Sequence, residues 1–287
     1  MRTVIIYNPN STGDSEANAK QLSKQLRDAG VDVSIRKTKF AKHGEEIAAR
    51  YAARDEAIVL ISSSGDGGYH EVVNGVLVHP ARNIVVGVLP SGNANDHYSA
   101  LSSGKLMEHI RDQKFRKIDT IKVTATINGE PWVRYAHSYV GIGVTANAAQ
   151  QLTVKRPNEI TEKWVVARSL LWFRYVKVKE NGRSRRYSSL VFGNIGRMSK
   201  VIKLSDHTSI TDGKFEVVGI PFYSKLRLLA YLVTAAMVGL KDSPSRKRYE
   251  CKTLNPITIQ LDGEVYKIDG HSKLVIESVK QNLRCVL

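Results

Sequence analysis

Over the first 120 residues, short unbroken apolar runs alternate with amphipathic stretches, and that alternation predicts strands interleaved with helices. Residues 3–7 read as a strand, followed by a loop of Asn, Pro, Ser and Gly. Residues 15–29 place Ala19, Leu22, Leu26 and Ala29 at helical spacing, with Gly30 as the stop. Val31, Val33 and Ile35 alternate as a half-exposed strand, and a helix over 43–53 turns Ile47, Ala48, Tyr51 and Ala52 to one face. Residues 57–62 form a continuous apolar run, the mark of a central strand buried on both faces. Residues 69–78 then read as helix, 84–89 as the next buried strand, and short helices run to about 113. This βαβαβαβα order predicts a largely parallel sheet with helices on both faces.

From about residue 117 the pattern changes. Residues 118–127 and 132–139 read as antiparallel strands joined by a turn at Asn128-Gly129. Helical patterning returns over 144–151, 162–174 and 225–240, while 187–192, 214–220, 256–261 and 272–286 read as strands. The chain therefore divides into an α/β domain over 1–116 and a β-rich antiparallel domain over 117–275, with a tail from about 276 to 287 available to pack back on the first. Trp164, Leu170, Leu171, Trp172, Phe173 and Tyr175 read first as core and second as the lining of an acyl-chain cleft.

Composition changes this picture in two ways. Cys251 and Cys285 have neither metal-ligand nor redox spacing, which points to a reducing compartment. Forty-three Lys and Arg against 27 Asp and Glu leave a net charge of +16, which favours anionic partners. Local clusters stand at Arg183-Ser184-Arg185-Arg186 and Arg246-Lys247-Arg248. The longest uncharged apolar stretch, 228–240, falls short of the roughly 20 residues a membrane span needs.

In parallel sheets of this kind, ligands bind at the carboxyl ends of the strands. The loops expected there are Asn8-Pro9-Asn10-Ser11-Thr12-Gly13, Ser62-Ser63-Ser64-Gly65-Asp66-Gly67-Gly68 and Pro90-Ser91-Gly92-Asn93-Ala94-Asn95-Asp96. The first lacks the Gly-Lys-Ser/Thr of a Walker loop. In the second, glycines permit close approach to a ligand, and Asp66 stands where a phosphate or its Mg²⁺ would lie. Glu71 and Asn74 project one helical turn apart, and Asn95 and Asp96 suit a helix cap.

Together these residues resemble the diacylglycerol kinase catalytic-domain family, the superfamily that includes sphingosine and ceramide kinases. Its motifs read Asn-Pro-x-Ser-Gly, Gly-Gly-Asp-Gly-Thr followed by Asn-Glu-Val-x-Asn-Gly, and Pro-x-Gly-Thr-x-Asn-Asp. Asp212-Gly213-Lys214-Phe215-Glu216-Val217 resembles the family's Asp-Gly-x-Leu-Asp-Val, and Asp262-Gly263-Glu264 its late Asp-Gly-Glu. There are departures: Ser64 replaces the first motif glycine, Gly68 the threonine, and Asn93-Ala94 the Thr-Gly of the third motif. Ser64-Gly65-Asp66-Gly67 with His70 is closer to the sphingosine kinase version.

The resemblance implies a first domain like that of NAD kinase and phosphofructokinase. It also implies Mg²⁺-dependent transfer of the ATP γ-phosphoryl group to a lipid hydroxyl. On that reading Asp262 is the base, with Glu264 beside it and Asp66 at the nucleotide end. Asp262 and Glu264 would share a face on a continuous strand, whereas a turn at Gly263 would separate them. ATP contacts fall to Asn8, Ser11, Thr38, Ser64, Gly65, Asp66, Gly67, Gly68, Glu71, Gly92, Asn93 and Asp96. A structural Mg²⁺ falls to Asp212 with the carbonyls of Ser209 and Lys214. The expected setting is cytoplasmic, peripheral at the inner membrane face, with a lipid substrate in an anionic surface. Two other readings stand beside it, an NAD kinase-like enzyme and a non-catalytic binder of membranes or nucleic acid. No zinc-finger spacing or RNP motif supports a nucleic-acid partner.

Overall fold

The computed structural model describes all residues except 12, 55, 79–82, 93, 94, 102, 103, 147–174, 199–201, 204–207, 223–226, 228–243 and 287. The helical readings over 162–174 and 225–240, most of that over 144–151, the cleft residues Trp164 to Phe173, and Asn93 lie outside the described residues. The chain forms two compact units, Met1–Thr120 with Lys280–Leu287, and Ile121–Val279.

In the first unit, strands β1 (Arg2–Tyr7), β2 (Val33–Lys37), β3 (Ile58–Ser64) and β4 (Ile84–Pro90) alternate with helices α1 (Ser15–Asp28), α2 (His43–Ala52) and α3 (Asp66–Leu77). Short helices α4 (Asp96–Leu101) and α5 (Leu106–Arg111) follow. The strands pair in parallel, as the sequence predicts, and their order is β2-β1-β3-β4. Every residue of β3 is buried, as its unbroken apolar run requires. Ile5, Val59, Ile61 and Val85 pack against Ala19, Leu22 and Leu26 of α1 in one core cluster.

Helix α1 is capped by Asp14, whose carboxylate accepts the Ala17 N–H at 3.3 Å. Helix α3 begins at Asp66, three residues before the sequence reading placed it, because Gly67 and Gly68 have low helix propensity and mask its first turn.

The remaining strands are β5 (Arg116–Ile127), β6 (Glu130–Ala136), β7 (Tyr139–Gly143), β8 (Val176–Glu180), β9 (Arg183–Gly193), β10 (Arg197–Met198) and β11 (Ile202–Lys203). They continue with β12 (Phe215–Pro221), β13 (Ser245–Arg246), β14 (Arg248–Thr253), β15 (Ile257–Leu261), β16 (Glu264–Ile268) and β17 (Lys273–Cys285). In the second unit the ladders are antiparallel, in the order β16-β15-β7-β9-β8-β14-β17. Strands β8, β14 and β16 were not anticipated: short and rich in Lys, Arg and Glu, they lack an apolar run to announce them. Two-residue turns at Asn128-Gly129, Asn181-Gly182 and Asp262-Gly263 place both residues at positive φ, the backbone that tight hairpins need. The sheet's inner face carries Ile121, Val140, Leu190, Phe192, Phe215, Ile259 and Ile276.

The first unit also takes in residues 280–286. Cys285 pairs with Val86 of β4 in parallel, and the Val286 N–H donates to the Val86 carbonyl at 2.8 Å.

Candidate active site

In the first unit the loops at the carboxyl ends of β1, β3 and β4 close on one another. Ser91 joins them. Its carbonyl accepts the Ser11 hydroxyl and the Gly13 N–H (3.2 Å), and its own N–H donates to the Ser64 carbonyl at 3.0 Å. Its hydroxyl accepts from Asn18 Nδ2 at 3.0 Å and lies 3.2 Å from Ser63 Oγ. Sequence reasoning passed over Ser91, because a serine beside Pro90 and Gly92 carries no signal of contacts to residues so distant in the chain. Asn8 organises the first loop: its side chain accepts the Asn10 N–H at 2.9 Å, and its carbonyl accepts from the Ser11 N–H and the Ser15 hydroxyl. Thr38 extends the β1–β2 ladder by donating its N–H to the Tyr7 carbonyl at 2.9 Å.

Two glycines make the closest approach. A β-carbon on Gly92 would stand 2.5 Å from Gly65 Cα, so the third loop accommodates no side chain where the two meet, and one on Gly65 would stand a tight 3.3 Å from Gly92 Cα. Gly65 is also the N-cap of α3 and supplies no side-chain cap. The N–H groups of Gly67 and Gly68 therefore belong to a glycine-lined helix start, a setting suited to phosphate oxygens.

Gly68 answers a question the motif raised. A β-carbon there would meet Ser64 Oγ at 2.5 Å and Ser64 Cβ at 2.6 Å. The two departures at 64 and 68 are thus one exchange: the side chain lost at 68 makes room for the one gained at 64. Ser64 Oγ lies 2.7 Å from Ser62 Oγ and 3.0 Å from the Gly65 carbonyl.

The acidic residues are held by backbone donors. Asp66 is buried, and its carboxylate accepts the Asp96 N–H at 3.0 Å and the His97 N–H at 3.3 Å, so it caps α4. Asp96, itself buried, begins that helix. Glu71 serves α2 in the same way, accepting from Lys42 N at 2.8 Å and Gly44 N at 3.0 Å.

In the second unit Asp262 occupies the β15–β16 turn at φ 50°. The turn separates the two late acids, leaving Asp262 1% exposed and Glu264 exposed at the start of β16. The Asp262 carboxylate accepts the N–H groups of His137 (2.9 Å), Ser138 (2.9 Å) and Tyr139 (3.0 Å), and His137 Nε2 lies 3.4 Å away. Asn194 completes this buried polar cluster by donating its N–H to the Ser138 carbonyl at 2.7 Å and Nδ2 to the His137 carbonyl at 3.1 Å. Sequence reasoning missed His137, Ser138 and Asn194, whose only signal is polarity between apolar strands.

Asp212 is exposed in the turn before β12 and accepts the Lys214 N–H at 2.9 Å. Ser209 lies nearby in sequence, its hydroxyl 3.4 Å from that of Thr211. Among the described residues no three His, Cys, Asp or Glu side chains cluster as metal ligands.

The strand-end loops, their glycine contact and the Asp66 helix start lie within residues 2–123, and over that span the sequence matches the diacylglycerol kinase catalytic domain. This chain resembles the diacylglycerol kinases. A diacylglycerol kinase of Staphylococcus carnosus is 36% identical over 123 residues, which span 42% of this chain and 37% of that one. A Staphylococcus aureus relative is 27% identical over 135 residues, 41% of its length, so the match covers about two-fifths of these relatives. The diacylglycerol kinase fold extends further. A Bacillus anthracis diacylglycerol kinase structure superposes over 99% of this chain and 96% of its own with a TM-score of 0.72, at 17% identity. Yeast NADH kinase shares the fold more loosely, with a TM-score of 0.54 at 9% identity over the whole of this chain and 83% of its own.

Proposed function

We propose that this protein is an ATP-dependent lipid kinase that transfers the ATP γ-phosphoryl group to a lipid hydroxyl at an anionic membrane surface. The observation that carries the reading is the Gly65–Gly92 contact beside the start of α3, where two strand-end loops meet backbone to backbone next to a helix start lined by glycine N–H groups. Asn8, Ser11, Thr38 and Ser64 to Gly68 are the assigned nucleotide contacts, with Gly92, Asn93 and Asp96 from the third loop and Glu71 supporting through α2.

Phosphoryl transfer is mostly positioning and charge neutralisation. The lipid oxygen bonds to the γ-phosphorus as the bond to the β-phosphate oxygen breaks, ADP leaves, and a carboxylate takes the hydroxyl proton. Asp262 is the base we assign, because backbone donors fix its rotamer; Glu264 is the exposed acid of the same hairpin and the alternative acceptor. Mg²⁺ would neutralise the phosphates. Asp66 supplies the carboxylate oxygen such a hard cation takes, and Asp212 with the Ser209 and Lys214 carbonyls supplies the same donor type for a structural ion.

The test is phosphate transfer from labelled ATP to a panel of lipid alcohols in mixed micelles. Wild type is compared with Asp262→Asn and Glu264→Gln, each checked for folding by its thermal melt. Transfer to one lipid, lost in a folded Asp262→Asn protein, supports the assignment; loss only in Glu264→Gln moves the base to that residue. Phosphorylation of NAD and of no lipid would sink the lipid-kinase reading in favour of the NAD kinase-like one.

A further inference from the structure

One face of the second unit's sheet collects cations that gain nothing structurally from being together. Lys177 lies directly opposite Arg186 across β8 and β9. Lys179 lies opposite Lys252 across β8 and β14, and Lys252 opposite Lys273 across β14 and β17. Directly paired residues project to the same side of a sheet with Cβ atoms about 5 Å apart, and like charges so placed are destabilising. The alternate positions Val176, Val178, Cys251 and Leu274 turn the other way, into the core. Lys179, Arg186, Lys252 and Lys273 are exposed and Lys177 is half-buried.

Acids offset only the Lys273 end of this row. Glu250 accepts from Lys273 and Arg248 at 2.8 Å each, and Glu277 from Arg248. Among the described residues no ion pair engages Lys177, Lys179, Arg186 or Lys252. Beside the row, Lys177 Nζ and Arg186 Cζ stand 5.4 and 5.6 Å from the Tyr175 ring centroid. Tyr175 meets Phe222 edge-on at 5.0 Å, and Phe222 is 49% exposed.

We propose that this sheet face is the surface by which the protein lies on an anionic phospholipid bilayer. The lysines and Arg186 meet lipid phosphates, and Phe222 enters the interface beside them. Four neighbouring cations without an acidic partner among the described residues complement a charged plane, and the charge attracts only where the lipid is anionic. Nucleic acid fits less well: two cations and Phe222 already engage Tyr175, leaving it poorly placed to stack on a base. The choice of partner rests on the lipid-kinase reading.

The test is sedimentation of the full chain with phosphatidylcholine vesicles, with and without phosphatidylglycerol. Lys252→Glu puts a carboxylate between two lysines, so its melting temperature should hold or rise while binding to anionic vesicles weakens by about fivefold or more. Lys24→Glu, an equal charge change on α1, should weaken binding far less. Phe222→Ser should weaken binding with little change in its salt dependence. Equal losses in Lys24→Glu and Lys252→Glu would overturn the proposal, as would wild-type binding by Lys252→Glu or preference for a DNA duplex over anionic vesicles. Sedimentation needs no turnover: vesicle binding that depends on this face, in a chain that phosphorylates no lipid, would sink the kinase reading and leave this surface standing.

Discussion

Ser64 and Gly68 compete for one volume, so the second residue is answerable to the first. Gly68→Thr alone overpacks that space and should cost about 1–3 kcal/mol, read as a melting temperature several degrees lower. Adding Ser64→Gly should restore most of it; a double variant no more stable than Gly68→Thr would refute the exchange. Two Asp-Gly turns give a second comparison. Asp262 accepts three buried N–H groups, whereas Asp269 accepts the Asn128 and Gly129 N–H groups, at 3.1 and 2.8 Å, on exposed residues. Asp262→Ala should therefore destabilise by roughly 3 kcal/mol or more in urea unfolding, since water cannot reach the orphaned donors. Asp269→Ala should cost under about 1 kcal/mol. Asp262 and its dipeptide were legible in the sequence, but Asp-Gly occurs four times in the chain, and only the family resemblance set Asp262 apart from Asp269. Burial by His137, 125 residues away, is what distinguishes the first.

The cysteines also belong to this scale. Burial pushes the Cys251 and Cys285 thiols up to about 12 from 9.0. Both should resist alkylation at about pH 8 in the native protein and react once it unfolds. The folded thiols hold their protons where unfolded ones would lose them, so this contribution to stability is complete below about pH 9 and is lost as pH rises towards 12.

Among the elements, α2 depends on a residue outside itself. Its N-cap Lys42 has φ 67° and no capping side chain, and Glu71 from α3 takes its N–H and that of Gly44. Glu71→Ala should cost about 1 kcal/mol and speed amide exchange over residues 42–46, leaving α1 unchanged. Unchanged exchange there would show that Glu71 does not hold the helix. The parallel strands were legible because each is a buried apolar run between amphipathic helices. Strands β8 and β14 were hidden because they are only five and six residues long and each outward position is charged, Lys177 and Lys179 in one and Arg248, Glu250 and Lys252 in the other, so neither offers an apolar run. The lysines among these charges belong to the proposed membrane face.

At the scale of the molecule, a net charge of +16 opposes its own compaction. Raising NaCl from about 20 to about 300 mM should raise the melting temperature while weakening anionic-vesicle binding, since screening relieves repulsion in one case and attraction in the other. A melting temperature that fell with salt would show that attractive pairs, not self-repulsion, dominate. Among the described residues no helix is long and apolar enough to cross a membrane.

The return of residues 280–286 to β4 has a consequence for synthesis. While the chain leaves the ribosome, β1 to β4 emerge early, but the strand that covers the outer edge of β4 is separated from them by the whole of residues 121–279. At about 5–20 residues per second, roughly ten to thirty seconds pass before it arrives. For that interval the nascent first unit carries an open strand edge, the feature most prone to pairing with a neighbouring chain on a crowded polysome. A strand made only after the whole of the second unit is the one that seals the first.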